Sequence, residues 1–186
     1  MSKGTLLVIS GPSGVGKTTI AKKLLESGIP KMMTTTTRAP RGTEKNGVEY
    51  RFLTRQEFQD EIKRGAFLEW AEIDGNLYGT PKERIEQELA SRPLVLVDID
   101  TQGAATLRKM GVPALFVFIA PPDMDELRKR LTGRNEDSAE AVKMRLERAE
   151  REMIQKDSYD AVVVNSTVKQ AVDEILNLVR ARKLLS

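Results

Sequence analysis

The stretch GPSGVGKT, at residues 11–18, combines residue types that bind phosphate. Its pattern Gly11-x4-Gly16-Lys17-Thr18 is that of the Walker A motif. The glycines allow backbone conformations that other residues avoid, so successive N–H groups can surround an anion, and the following helix adds the positive end of its dipole. In such a motif Lys17 would reach the β- and γ-phosphates of a nucleoside triphosphate, and the Thr18 hydroxyl would coordinate Mg²⁺.

The surroundings of this motif suit a nucleotide site, because an apolar strand ends at Ser10 and the helical segment TTIAKKLLES begins at Thr18. The residues predicted to hold the triphosphate here are Gly11, Pro12, Ser13, Gly14, Val15, Gly16, Lys17, Thr18 and Thr19. The alternative is a glycine-rich turn without a ligand, but such a turn has no need of the Gly-Lys-Thr ending. A triphosphate site alone does not identify the reaction, because hydrolases, switches and kinases share it.

A second group of residues that suits an anion begins in TTTTRAPR, at residues 34–41. Arg38 and Arg41 lie on either side of a proline that stiffens the backbone, so both guanidinium groups can bind one phosphate in a bidentate manner. Tyr50 and Tyr78 are neutral donors suited to the same oxygens. Solvated arginines and packed tyrosines are the alternatives that the residues alone leave open.

The elements that must position these residues are indicated by short apolar runs rich in β-branched residues. These runs are Thr5–Ser10, Met32–Thr36, Leu94–Asp98, Ala114–Ile119 and Ala161–Asn165. The first and the last three are each followed by a segment with helical periodicity. This alternation predicts an α/β fold in which a parallel sheet of five strands lies between two layers of helices.

The helix ends carry recognisable signals, namely capping boxes, a proline in a first turn and a glycine after a last one. One helix is predicted to begin at Thr54, with Glu57 as its capping partner, and to end at Gly65; the next begins at Thr80, with Glu83 as partner and Pro81 in its first turn. A third runs from Asp137, with Glu140 as partner, to about Lys156, and the last from about Val168 to Leu184. Two regions interrupt the alternation of strands and helices. Residues 37–80 have short polar strands and a DGN hairpin signal at 74–76, while residues 121–157 are helical and crowded with charge. Both are predicted to be insertions at one edge of the sheet.

Composition limits the class of protein. The chain has 186 residues, 40% of them hydrophobic, which suits one domain with a sizeable core. There is no cysteine for a disulfide or thiolate metal site, and no histidine to act as a general base. The 30 basic and 27 acidic residues nearly balance, so no nucleic acid is predicted as a partner. The apolar runs are too short to cross a membrane and the start lacks a signal peptide, which predicts a soluble, cytoplasmic protein.

With these residues laid out, the whole chain resembles the guanylate kinase family of P-loop nucleoside monophosphate kinases. The stretches that carry the resemblance are SGPSGVGKT, TTRAPRGTEKNGVEY, FLEWAEIDGNLYGT, DIDTQGA, IAPP, RL-GR at 130–134 and VVN at 163–165. The resemblance implies transfer of phosphate from ATP, with Mg²⁺, to GMP and dGMP in purine metabolism. It also implies a core at about 1–31, 85–121 and 158–186, a GMP-binding region of mixed sheet at about 32–84, and a helical lid at about 122–157. The protein would act as a monomer or a homodimer.

By this resemblance, particular side chains acquire roles in binding GMP. The GMP phosphate would be held by Arg38, Arg41, Tyr50 and Tyr78, and the guanine would be bound by Glu69 with Thr34, Thr80 and Asp100 nearby. Guanine presents N1–H and N2–H₂ donors side by side, which one carboxylate can accept, whereas adenine has an acceptor at the equivalent ring nitrogen. On its own, Glu69 could equally be a solvated glutamate on a strand.

The resemblance also assigns residues around ATP. Asp98 would assist Thr18 at the metal, Arg134 and Arg145 with Arg130 would reach the ATP phosphates from the lid, and Asn165 would contact adenine. Without the resemblance, the arginines could form a solvated helical face, and Asp98 or Asp100 could cap the helix that begins near Thr101. The chain departs from the family pattern at Thr34, Thr80, Asn135 and Ser166.

Three functions are compatible with these residues. A phosphotransferase is favoured because catalysis would need only converging positive charge: a GMP phosphate is largely dianionic at neutral pH, so its oxygen can attack without a base. A non-catalytic module that binds phosphorylated peptides is the first alternative, although this chain keeps Lys17 and the glycines of the loop. A related kinase acting on another phosphorylated small molecule is the second.

Overall fold

The structure is a computed structural model, and it describes residues 4–133 and 139–185. The strands formed by these residues are β1 (Thr5–Ser10), β2 (Thr35–Thr36), β3 (Arg51–Phe52), β4 (Phe67–Ile73), β5 (Asn76–Pro81), β6 (Leu94–Asp98), β7 (Ala114–Ala120) and β8 (Ala161–Val164). The helices are α1 (Lys17–Glu26), α2 (Arg55–Lys63), α3 (Lys82–Ser91), α4 (Thr101–Lys109), α5 (Met124–Thr132), α6 (Ala139–Met153) and α7 (Val168–Ala181), with a 3₁₀-helix (Ile154–Ser158) after α6. No helix in the described ranges is long and apolar enough to span a bilayer.

A parallel sheet in the order β6-β1-β7-β8 forms the centre of the molecule. Its strands are apolar along their length because helices cover both faces. On β1, Leu7 and Ile9 pack with α1 and α7, whereas Leu6 and Val8 pack with α3 and α4. The predicted α/β fold of three layers is therefore confirmed.

The described residues form four strands in this sheet, so the prediction of five was wrong. The segment after α1 approaches β6 only through a bridge from Lys31 to Leu96, with hydrogen bonds from Met32 N–H to Leu96 O and from Leu96 N–H to Pro30 O, both 2.8 Å. Pro30 has no N–H of its own to extend this pairing. The chain then turns into a second sheet, where Thr35 and Thr36 form β2.

The second sheet has the order β3-β2-β5-β4 and is mixed, since β2 is parallel to β3 and antiparallel to β5. Strands β4 and β5 form a hairpin whose two-residue turn is Asp74 and Gly75, with φ of 49° and 75°. Positive φ at both positions is typical of the tight turn that this dipeptide favours, and it confirms the predicted hairpin. The sheet and α2 enclose a separate apolar cluster of Phe58, Phe67 and Leu77.

The capping signals had mixed outcomes. The box of Thr54 and Glu57 is present at the start of α2, and Gly65, with φ of 66°, follows its end. The box predicted at Thr80 was wrong: α3 begins at Lys82 and has no side-chain cap. Thr80 belongs to β5 instead, and its hydroxyl donates to the carboxylate of Glu69 across the hairpin. A tertiary partner has thus replaced the local one.

Helices α5 and α6 pack on each other through a further apolar cluster that includes Leu127, Leu131 and Leu146. The predicted long helix appears as α6 followed by the 3₁₀-helix, and its predicted start, Asp137, lies outside the described residues. The last helix ends at Ala181, before the predicted Leu184. Because α6 reaches over the carboxyl ends of β1 and β6, it helps to enclose a cleft at that edge of the parallel sheet.

Candidate active site

A cleft lies where the parallel sheet, the mixed sheet and α6 meet. The described residues that line it are Gly11, Ser13, Gly14, Gly16, Lys17, Thr18, Thr19, Thr34, Arg41, Tyr50, Glu69, Ile73, Tyr78, Gly79, Thr80, Asp98, Ile99, Asp100, Arg148 and Glu152. The carboxyl edge of a parallel sheet is the usual position for a ligand in an α/β protein. Most of the residues predicted for both substrates therefore meet in a single cleft.

One end of the cleft is the loop between β1 and α1. Gly16 has φ of 99°, and a Cβ there would lie 2.5 Å from Nδ2 of Asn165, so both conformation and space require glycine. Lys17 folds back over the loop and donates to the carbonyl oxygens of Gly11 at 2.6 Å and Pro12 at 3.0 Å. The first turn of α1 contains no acidic residue. Its N–H groups and helix dipole therefore favour an anion at this end.

Electrostatics at this end combine a cation with nearby carboxylates. Burial lowers the pKa of the Lys17 ammonium, while Asp98 and Glu152 act to raise it. Thr18 Oγ1 lies 3.5 Å from Asp98 Oδ2. No cluster of three acidic or histidine ligands occurs in the described ranges. A hydroxyl and one carboxylate nevertheless fit Mg²⁺, which is commonly held by one or two protein oxygens together with substrate phosphates.

Two of the residues predicted to bind ATP lie behind the loop and hold its backbone. Asn165 is buried, and its side-chain amide donates to Val15 O at 2.7 Å. Arg130 donates to Asn165 O at 3.0 Å and to Val15 O at 3.4 Å, and pairs with Glu126. In this structure both side chains position the phosphate-binding loop. Among the other residues predicted for ATP, Pro12 and Val15 are buried within that loop.

The other end of the cleft is a polar pocket built around Glu69 of β4. This side chain is only 4% exposed and accepts a hydrogen bond from the buried hydroxyl of Thr80. Thr34 is also buried and lines the same pocket. The pKa of Glu69 is raised to about 7, mainly by burial; the Thr80 hydrogen bond acts to lower it, and the charge of Asp100 adds to the rise. The carboxyl group is thus available to a ligand that brings its own donors.

Asp100 both caps a helix and faces the cleft. Its Oδ1 accepts from the N–H groups of Gln102 at 2.6 Å and Gly103 at 3.1 Å, so the side chain is the N-cap of α4. The same residue lines the cleft beside Asp98, which ends β6. The capping alternative is correct for Asp100, and it leaves this residue at the pocket.

The predicted phosphate-binding residues of the acceptor side lie close to one another. Arg41 lines the cleft with Tyr50 and Tyr78, whose ring centroids are 6.4 Å apart. The Arg38 guanidinium lies 5.5 Å from the centre of the Tyr50 ring and binds both carboxylate oxygens of Glu44, at 2.9 and 3.0 Å. Burial raises the pKa of Tyr50, which keeps it a neutral donor.

Glu44 is a residue that the sequence analysis missed. Besides binding Arg38, its carboxylate accepts from the Arg41 N–H at 2.8 Å and so fixes the loop between the two arginines. The signal was present, because this glutamate lies three residues after Arg41 within the quoted stretch TTRAPRGTEKNGVEY. Arg38 is therefore already held in place by a carboxylate beside the pocket.

Helix α6 contributes two more residues that the sequence analysis missed. Arg148 pairs with Asp74 in the β4–β5 turn, and its Nε lies 3.7 Å from Glu152 Oε1. Burial raises the pKa of Glu152, while Lys17 and Arg148 lower it and the Ser13 N–H donates to it. The i, i+4 spacing of Arg148 and Glu152 was the available signal.

Neither Arg145 nor Arg134, two arginines predicted to act from the lid, is among the described residues that line the cleft. Among the described residues that line the cleft, α6 is represented by Arg148 and Glu152 rather than by Arg145, which lies one turn earlier and is half-buried. Arg134 lies outside the described residues, as do Asn135 and the rest of that connection up to residue 138. The structure therefore brings one arginine of α6 to the cleft, three residues beyond the predicted one.

A parallel sheet whose first strand leads through a Walker A loop into a helix, with a second polar pocket in the same cleft, defines a P-loop kinase. The model of the family described as guanylate kinase matches residues 3–182. The chain therefore belongs to the guanylate kinase family.

Known proteins of this family resemble the chain over nearly its whole length. It is 43% identical to a guanylate kinase of Rubrobacter xylanophilus, covering 97% of this chain and 95% of that protein. It is 45% identical to one of Dechloromonas aromatica, covering 97% and 91%. A crystal structure of guanylate kinase from Anaplasma phagocytophilum matches with a TM-score of 0.82 at 36% identity, covering 100% of this chain and 89% of that one.

Proposed function

We propose that this protein transfers the γ-phosphoryl group of ATP to GMP, with Mg²⁺, and that it uses dGMP in the same way. The observation that carries the proposal is the composition of the cleft. A phosphate-binding loop with Lys17 lines one end, and a buried carboxylate with hydroxyl neighbours lines the other. The two sites face one another, as a transfer between two bound nucleotides requires.

On the donor side, the N–H groups of the loop and of the first turn of α1 bind the ATP phosphates. Lys17 exchanges the carbonyl oxygens of Gly11 and Pro12 for β- and γ-phosphate oxygens. Thr18 and Asp98 are the residues that would hold Mg²⁺, which neutralises charge on the phosphates when it is bound. Arg130 and Asn165 keep the loop in shape from behind.

On the acceptor side, the ionised Glu69 accepts the N1–H and N2–H₂ donors of guanine. Adenine offers a lone pair at N1, so it would leave the buried carboxylate without a donor, and a site of this kind rejects the wrong base strongly. Thr34, Thr80 and Asp100 complete the base pocket. The GMP phosphate is bound by Tyr50, Tyr78, Arg38 and Arg41. To do so, the Arg38 guanidinium must either bind Glu44 and the phosphate together or release Glu44.

The reaction itself requires no proton acceptor. A phosphate oxygen of GMP attacks the γ-phosphorus, the bond from that phosphorus to the β,γ-bridging oxygen breaks, and its electrons remain on ADP. The obstacle is repulsion between anions, which Lys17, Arg38 and Arg41 reduce.

We further propose that residues 122–157 close as a lid, bringing Arg145 and Arg134 toward the phosphates and excluding water as a competing acceptor. The GMP-binding region would comprise residues 32–84, and the remainder would form the core.

A kinase is favoured over a phosphopeptide-binding module by the intact donor site, in which Lys17, Thr18 and Asp98 face one another. The decisive experiment is a coupled ADP-release assay with ATP, Mg²⁺ and, in turn, GMP, dGMP, AMP, CMP and UMP. GMP and dGMP should support turnover, and the other three should be rejected. A Lys17→Ala preparation serves as the control for contaminating kinases. Unconverted GMP, or AMP used equally well, would contradict the proposal.

A further inference from the structure

We propose that Gly103 determines specificity for guanine, because its lack of a side chain gives the Glu69 carboxylate the space that it occupies. A Cβ at position 103 would lie 2.5 Å from Glu69 Oε2 and 3.0 Å from its Cδ. Contacts of 2.5 Å between carbon and oxygen do not occur without a shift. This inference rests on the proposed role of Glu69 in binding the base.

The backbone conformation at this position does not explain the glycine. Gly103 lies in the first turn of α4 and, unlike the glycines of the turns, does not have a positive φ. Glycine is disfavoured in a helix relative to alanine, which occupies the next two positions, 104 and 105. The N–H that donates to Asp100 would be present in any residue except proline. Local structure alone would therefore favour alanine here.

The neighbours of Glu69 leave its side chain little room to move. Its carboxyl group accepts from Thr80 on the adjacent strand, and the two residues are directly paired in the β4–β5 ladder. On the other side, α4 packs against β4 and is fixed at its start by the Asp100 cap. A side chain at Gly103 would also approach Ile99 Cδ1, at 3.4 Å. The free direction for the carboxylate is into the cleft, where the base is proposed to bind.

The test is the Gly103→Ala variant, assayed for both nucleotides. KM for GMP should rise about tenfold or more, because the carboxylate can no longer meet both donors of the base, while KM for ATP should change less than about twofold. The matched control is Gln102→Ala, one residue earlier in the same turn with its side chain exposed, which should leave both KM values unchanged. An unchanged KM for GMP in the Gly103 variant would overturn the proposal.

A compensating variant separates crowding from general damage to the fold. Glu69→Asp withdraws the carboxylate by one methylene and leaves room for a methyl group at position 103. The double variant Glu69→Asp, Gly103→Ala should therefore lose no more activity toward GMP than Glu69→Asp alone, a non-additive result. Additive losses would contradict direct contact. This pair also tests the proposal if Gly103→Ala by itself fails to fold.

A structural measurement distinguishes failure of this inference from failure of the proposed function. If the unaltered protein does not phosphorylate GMP in the same assay, the proposed function is wrong whatever the variants do. The contact is then tested by the crystal structure of ligand-free Gly103→Ala. A displaced Glu69 carboxylate is expected, and an unmoved carboxylate would overturn the inference about Gly103.

Discussion

The two ends of the cleft are built in different ways. The donor end is one continuous loop, residues 11–18, in which backbone N–H groups would do most of the proposed binding. The acceptor end is assembled from the side chains of separate segments: the loop around Arg41, strands β4 and β5, and the start of α4. Backbone sites depend on local conformation, whereas side-chain sites depend on tertiary packing. The donor end should therefore be generic for triphosphates, and the acceptor end selective.

The largest expected effect comes from removing the ammonium group of Lys17 at the donor end. Lys17→Ala should lower kcat by about a thousandfold, because the charge that develops during transfer loses its cation. Circular dichroism should show an intact fold, since the neighbouring apolar residues are unchanged. Lys22→Ala, on the exposed side of α1, is the matched control. Near-normal turnover in the Lys17 variant would refute its assigned role.

A selective effect is expected at the acceptor end. Glu69→Gln should lower kcat/KM for GMP by about a hundredfold, because an amide cannot accept both guanine donors and leaves one unpaired. KM for ATP should remain within about twofold, since Glu69 lies in the pocket away from the loop. Steady-state kinetics with each nucleotide varied in turn provides the measurement. Equal losses for both nucleotides would show that Glu69 does not bind the base.

The raised pKa of Glu69, about 7, predicts a pH dependence confined to the acceptor end. Guanine needs the ionised form, so KM for GMP should fall about tenfold between pH 6 and pH 8, with KM for ATP nearly constant. Glu69→Gln should remove this difference between the nucleotides. The stability of the ligand-free protein should change in the opposite direction. The protonated Glu69 contributes fully to the free energy of unfolding below the ordinary glutamate pKa, and this contribution is lost as pH rises through about 7. Thermal unfolding across this range measures it.

The smallest effect should come from the ion pair that joins α6 to the hairpin. Asp74→Asn keeps the turn, because asparagine also tolerates positive φ, but removes the charge that binds Arg148. Exposed pairs contribute little, so kcat/KM should fall less than about fivefold, and the difference should shrink in high salt. Arg148→Ala should have a larger effect, because Arg148 also lines the cleft. Equal effects of the two variants would mean that Arg148 acts only through its ion pair with Asp74.

The contrast between the two ends also explains what the sequence could predict. The phosphate-binding loop, the apolar strands and the Asp74–Gly75 hairpin follow from residues adjacent in the chain. The helix cap predicted at Thr80 was wrong although its local signal is genuine, because the Thr80 hydroxyl donates to Glu69 on the neighbouring strand instead. The close approach of Gly103 to that carboxylate is likewise invisible without tertiary structure. Resemblance to a family assigned roles at the acceptor end that spacing alone left open.

The separate apolar clusters of the two insertions have a mechanical consequence. Phe58, Phe67 and Leu77 pack among themselves, as do the apolar residues of α5 and α6, apart from the clusters that flank the parallel sheet. An element with its own interior can rotate as a rigid piece without exposing the side chains that stabilise its neighbours. The closure proposed above for the lid would therefore leave the packing around the parallel sheet unchanged.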